Sequence, residues 1–183
     1  MRRGAAALAL VALALPVMAG VPEPSGYRMG DYRAPVPETL EGARVVGPEE
    51  AHALWAAGGA VFVDVLPRAP RPANLPEGAF WRDRPRLSIS GAVWFPNAGY
   101  GAIAPVTDTW FRDGLRAATG GDRTRPLVFF CLDDCWMSWN AAKRAQSYGH
   151  SKVIWFPEGT DGWSFMDYPV EELTAAPGEP VTQ

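Results

Sequence analysis

Cys131 and Cys135 are the two cysteines of a chain of 183 residues. They enclose Leu132-Asp133-Asp134, and Trp136 follows directly. The apolar run Leu127–Phe130 precedes them and reads as a buried parallel strand. An amphipathic helix is predicted after them, from about Met137 to Ser147. A sulfur at the end of a central strand, facing a helix start, occupies the usual ligand position of an open α/β sheet. The positive helix end also lowers a nearby thiol's pKa. A turn of this length can bring the two Cα atoms to about 4.4–6.8 Å, the bridging distance. Paired, the cysteines form a redox switch or a structural clip. Reduced, Cys131 is the natural nucleophile and Cys135 the resolving thiol.

The neighbouring residues narrow that chemistry. Backbone N–H groups in such a loop stabilise a thiolate, a persulfide or an oxyanion. Asp133 and Asp134 repel a thiolate and any anionic substrate. Thiosulfate would therefore need compensation from the arginines of a long proline-rich connection: Arg68, Arg82, Arg84 and Arg86, with Arg71 beside them. These arginines are also ordinary solvated surface in many loops. A phosphatase loop of this shape needs an arginine six residues after its cysteine, and Met137 stands there. Two cysteines without a spaced histidine make a poor zinc site, and a transient Cu(I) site is the alternative. No resident metal or cofactor is expected. Trp136 and Trp139 share one helix face, which either packs the core or walls one side of the loop. Asp64 interrupts the apolar run AVFVDV and needs hydrogen-bond partners. Tying down a loop through backbone N–H groups is its expected role, and a direct part in the chemistry is the alternative.

The elements that must position these residues follow in order. A short strand is read at Ala43–Val46. A helix follows Gly47-Pro48, with Glu49 and Glu50 near its positive end. His52 on that helix reads as exposed or capping, because no metal ligand is spaced with it. Further strands are read at Ala60–Val65, Ile89–Phe95, Leu127–Phe130 and Val153–Phe156. A helix over Asp108–Ala118 is expected with Thr107 as its cap. A tight loop, Pro157 to Trp163, and a short helix over Trp163–Asp167 end the domain. This alternation is the α/β pattern, with helices covering a mostly parallel sheet of about five strands.

Residues 1–19 read as a secretory leader. Arg2 and Arg3 precede the apolar Ala5–Leu15, and small residues permit cleavage near Ala19–Gly20. The apolar run is short for a membrane span. Export to an oxidising compartment would favour pairing of the cysteines. The chain carries 17 basic and 20 acidic residues, and loss of Arg2 and Arg3 takes the net charge from -3 to -5. That balance gives no footprint for nucleic acid. Apolar residues make up 48% and charged residues 20%, a globular balance that allows one well-cored domain. The expected organisation is a leader at 1–19, an extended arm or flexible segment at 20–42, a domain at 43–166 and a tail at 167–183.

Four segments, taken in order, resemble the rhodanese-like domain. They are Val63-Asp64-Val65, Ile89-Ser90-Gly91-Ala92 through Phe95-Pro96, Leu127–Cys131, and Gly149 through Pro157-Glu158-Gly159 to Gly162-Trp163. The resemblance implies a three-layer α/β/α domain with Cys131 in the place of the sulfur-carrying cysteine. The Cys-x-x-x-Cys-Trp loop and the helix MSWNAAKRA resemble, more specifically, exported proteins associated with PQQ-dependent catabolism. That resemblance implies a periplasmic partner such as a quinoprotein dehydrogenase or its cytochrome. It also implies thiol, disulfide or sulfur exchange; no PQQ pocket can be read from the residues, and none is expected. Asp134 stands where rhodanese loops often carry glycine, Trp136 where they carry arginine, and Leu66 where an arginine commonly follows Asp-Val. Those departures disfavour thiosulfate as a sulfur donor. A sulfurtransferase and a non-catalytic module with a structural disulfide are the competing expectations.

Overall fold

Uninterrupted apolar runs form the centre of the molecule, because a strand covered on both faces has no polar side. The computed structural model describes residues 20–70, 72, 74–81 and 84–180. The leader reading at 1–19 lies outside the described residues. Five parallel strands make the main sheet: β1 (Arg44–Val45), β2 (Val61–Asp64), β4 (Val93–Trp94), β5 (Leu127–Phe130) and β6 (Val153–Phe156), in the order β1-β6-β5-β2-β4. Phe130, at the end of β5, is in register with Asp64 of β2 and Phe156 of β6.

Strand alternation sends side chains to two cores. Val63, Leu127, Phe129 and Trp155 face helices α2 (Pro105–Ala118) and α3 (Trp136–Ser147). Phe62, Val128, Phe130 and Phe156 face α1 (Pro48–Ala56) and α4 (Gly159–Phe165). The result is the expected mixed α/β fold with helices on both faces of a mostly parallel sheet. Truncating a wholly buried ring such as Phe129 would cost about 3–5 kcal/mol.

Several boundaries differ from the sequence reading. The run Ile89–Phe95 is two strands, not one. β3 (Arg86–Ile89) pairs antiparallel with β7 (Val170–Leu173) in a separate ribbon, and β4 alone joins the main sheet. Gly91 takes a positive φ of 78° between them, a turn that favours glycine. The tail is therefore not a simple trailing segment. Beyond β7, Ala176 donates its N–H to the Trp94 carbonyl at 2.8 Å and continues the sheet edge. α2 begins at Pro105, not Asp108, and no side chain caps it. Thr107 lies buried inside its first turn. α4 begins at Gly159, inside the stretch expected as a loop. His52 is neither a cap nor free in solvent. Its ring stacks on Tyr168 at 4.0 Å and lies 5.6 Å from Trp163.

Residues 20–42 run as an extended arm across α3. Arg28 donates its N–H to Asn140 Oδ1, and Asn140 Nδ2 donates back to the Arg28 carbonyl, both at 2.9 Å. Trp139 Nε1 donates to the Thr39 carbonyl, Lys143 Nζ to that of Pro24, and Gln146 Nε2 to that of Glu41. Long polar side chains of α3 thus satisfy the carbonyls of a segment with little secondary structure of its own.

Candidate functional site

The cysteine loop lies where β5 ends and α3 begins. Cys131 and Cys135 are joined in a disulfide with a Cα separation of 6.2 Å. Asp134 adopts a positive φ of 49° within the loop. A short polar side chain tolerates that conformation better than most. Cys135 is the N-cap residue of α3, and no side chain caps that helix.

The sulfurs do not lie open at the sheet end. Cys131 is 0% exposed and Cys135 2%. Both belong to the core on the α2 and α3 side of the sheet, and the arm lies against the Cys135 end of the loop. Arg33 forms an antiparallel bridge with Cys135. Ala34 donates its N–H to the Asp134 carbonyl at 3.2 Å, and the Trp136 N–H donates to Tyr32 at 3.0 Å. Trp136 Nε1 donates to the Pro35 carbonyl, and Arg28 lies over the Trp136 ring at 5.1 Å. Trp136 and Trp139 are both buried core residues. Asp133 and Asp134 are exposed.

A second set of contacts fixes the loop from α4. Thr160 donates its backbone N–H to the Cys131 carbonyl at 3.0 Å and its hydroxyl at 3.2 Å. The Asp133 N–H donates to Asp161 Oδ2 at 3.0 Å. Gly159, with φ 52°, passes so close that a Cβ there would lie 2.4 Å from the Cys131 carbonyl oxygen. Only glycine fits that approach.

Asp64 connects to the same network. Its Oδ2 accepts from Arg86 Nε at 2.6 Å and from the Ser88 hydroxyl at 2.5 Å, and its Oδ1 accepts from the Leu66 N–H at 2.8 Å. Arg86 then reaches the Thr160 hydroxyl at 3.3 Å. Complete burial pushes the Asp64 carboxyl up, while Arg86, Ser88 and the Leu66 amide oppose it. All three donors point at it, which is the arrangement of a carboxylate. The chain from Asp64 through Arg86 and Thr160 to the Cys131 carbonyl positions the loop without touching sulfur.

The arginines of the long connection divide. Arg86 sits on β3 and is committed to Asp64. Arg68 pairs with Glu179 of the tail at 2.6 Å and lies over the Trp94 ring. Arg84 is exposed and lines a small cleft with Arg68, Arg86 and Trp94. Arg71 and Arg82 lie outside the described residues. Thr160, Asp161, Ser88 and Tyr32 were not singled out in the sequence. The segment Pro157–Trp163 reads in the sequence as a tight loop and as part of the resemblance, with no role for Thr160 or Asp161. Glu158 in that segment has one buried oxygen without a partner. Burial raises its carboxyl pKa, and the nearby Asp133 and Glu49 charges add to the rise. Among the described residues no group of acids, histidines and cysteines could hold a metal. No described helix is long and apolar enough to cross a membrane.

No family model matches the sequence. No curated protein matches it either. Several solved structures are similar in backbone. One is the rhodanese-like domain of an Anabaena protein, with 15% identity and a TM-score of 0.45, matched over 79% of this chain and 93% of that one. Another is a thiosulfate sulfurtransferase of Pseudomonas aeruginosa, with 19% identity and a TM-score of 0.46, over 73% of this chain and 21% of that one. A third is the homodimeric polysulfide-sulfur transferase of Wolinella succinogenes, with 15% identity and a TM-score of 0.45, over 73% and 81%.

Proposed function

We propose that this chain is an exported rhodanese-like accessory protein of a quinoprotein alcohol-oxidation system, working by thiol–disulfide exchange at Cys131 and Cys135. The observation that carries the exchange reading is the disulfide between β5 and the first turn of α3. The Cys-x-x-x-Cys-Trp loop and the leader reading of residues 1–19 support the export and the quinoprotein setting.

In the exchange, a partner thiolate attacks Cys131 Sγ and the Cys131–Cys135 bond breaks. Cys135 leaves as a thiolate at the N-terminus of α3, where the helix end favours negative charge. A second partner thiolate then attacks the partner sulfur of the mixed disulfide and releases Cys131. The partner ends as a disulfide, having given two electrons, and its two protons pass to the two cysteines. Burial of both sulfurs means that Tyr32–Pro35 must first lift from the loop.

The second reading is a structural clip, and complete burial of Cys131 favours it. Persulfide chemistry is a weaker alternative. Asp133 and Asp134 repel an anionic donor, and Arg68 and Arg86 are occupied elsewhere. The test traps the exchange. Cys135→Ser, incubated with a small disulfide such as oxidised glutathione, is expected to carry one mixed-disulfide adduct on Cys131 by intact mass. In the wild type, a dithiol should reduce the bond while the fold persists. A bond that opens only on global unfolding would defeat exchange and leave the clip. Growth on alcohols that is unchanged by Cys131→Ser, at normal protein level, would remove the quinoprotein role.

A further inference from the structure

A second charged cluster lies at the end of the sheet away from the disulfide. The C-terminal half of α2, the turn before β5 and the turn before β6 enclose a pocket of about 360 Å³. Its lining holds Arg112, Arg116 and Arg123 against one carboxylate, Asp113. Arg112 gives one amino group to Asp108 at 2.7 Å and lies over the Tyr148 ring. Arg116 faces Asp113 at 3.7 Å, a loose pairing. Arg123 has no carboxylate within ion-pair distance among the described residues.

His150 adds an independent observation. It is 6% exposed, it lines the pocket, and its Nδ1 is buried without a hydrogen-bond partner. Burial and the Arg123 charge hold its imidazole pKa below the usual histidine range, so the ring stays neutral. A buried N–H with no acceptor is more costly than a buried lone pair beside cationic side chains. The single ring proton therefore belongs on Nε2, which is the accessible nitrogen. The pocket thus presents a neutral donor beside three guanidinium groups, with an excess of positive charge over its one carboxylate.

We propose that this pocket binds a free tetrahedral oxyanion of the phosphate or sulfate class, held by Arg123 with Arg112 and Arg116 and by the Nε2–H of His150. Guanidinium groups bind such oxygens through charge-assisted, often bidentate bonds. The site is at the small end of ligand pockets, which suits a compact ion. It uses none of the residues of the cysteine loop.

The test is titration of the full chain with sodium phosphate, with ionic strength held constant by sodium chloride. The signals read are the arginine Nε–H and His150 ring resonances. A saturable shift is expected with phosphate and none with chloride alone. Arg123→Ala is expected to weaken binding by about tenfold or more. Arg125→Ala, a neighbouring cation outside the pocket, should leave it unchanged. Thermal melts of both variants confirm folding. Shifts that never saturate, or equal loss in the two variants, would overturn the site. Methyl phosphate binding more tightly than inorganic phosphate would overturn the free ion in favour of an esterified headgroup.

Discussion

Asp64 and His150 are both buried ionisable groups beside an arginine, and they lie at opposite ends of the parallel sheet. Asp64 has three donors on its two oxygens, one of them the Arg86 guanidinium. His150 has a buried Nδ1 with no partner, and its arginine neighbour, Arg123, has no carboxylate within ion-pair distance among the described residues. A buried polar group whose partners are all present holds a loop in one arrangement. Surplus cationic charge beside a neutral N–H donor marks a place where an anion completes the set. The first cluster supports the disulfide loop; the second is where a ligand is expected.

The largest effect should come from breaking the completed cluster. Asp64→Ala strands Arg86 as a buried, unpaired charge and should cost about 3–5 kcal/mol in chemical denaturation. Arg123→Ala, on the exposed cluster, should stay within about 0.5 kcal/mol. Comparable losses in the two variants would erase the distinction between them. Next is the disulfide. Cys131→Ala with Cys135→Ala removes a cross-link of short separation and should cost about 2 kcal/mol by loop entropy. Reduction of the wild type should reproduce that loss.

A smaller effect tests the arm. Trp139→Phe removes the donor to the Thr39 carbonyl and should cost about 1 kcal/mol. It should also speed reduction of the disulfide, read by alkylation and mass, because the arm is held less firmly. An unchanged reduction rate would mean that the arm does not gate the sulfurs. The smallest effect is a pH slope. His150 titrates lower in the folded than in the unfolded chain, so the unfolded chain takes up more protons in acid. Stability is therefore lost as pH falls below about 6.5, the unfolded value. Arg112, Arg116, Arg123, Asp113 and Tyr148 line the pocket with it. His150→Gln should flatten the slope, and saturating phosphate should reduce it, since a bound anion favours imidazolium.

Much of this architecture was legible along the chain. Leu127–Phe130 and Val153–Phe156 are strands at the residues expected, because an uninterrupted apolar run has no other stable placement. Asp64 was identifiable as a tied-down carboxylate because charge cannot sit unpaired among valines. Its main partner was not identifiable. Arg86 is 22 residues away, in a connection whose arginines look alike. The division of Ile89–Phe95 was hidden because both halves are apolar, and only the antiparallel pairing of β3 with β7 separates them. The short helix expected over Trp163–Asp167 instead begins at Gly159; its start was hidden because the two glycines and flanking proline ahead of Trp163 resemble a turn. The His150 pocket left no sign, since Arg112, Arg116 and Arg123 look like ordinary surface charges.

By itself the sequence determined the alternation of strands and helices, the two faces of the sheet, and the place of the cysteines between β5 and α3. Those follow from local periodicity and from the conformational limits of a short turn. Only the tertiary structure decided that the sulfurs are covered, that Arg86 and not another arginine meets Asp64, and that three arginines and one histidine line one pocket. Docking of the arm depends on backbone carbonyls that accept from α3, and a carbonyl is the same at every residue. Convergence depends on which chain ends the sheet brings together, and neither is written in the spacing of side chains.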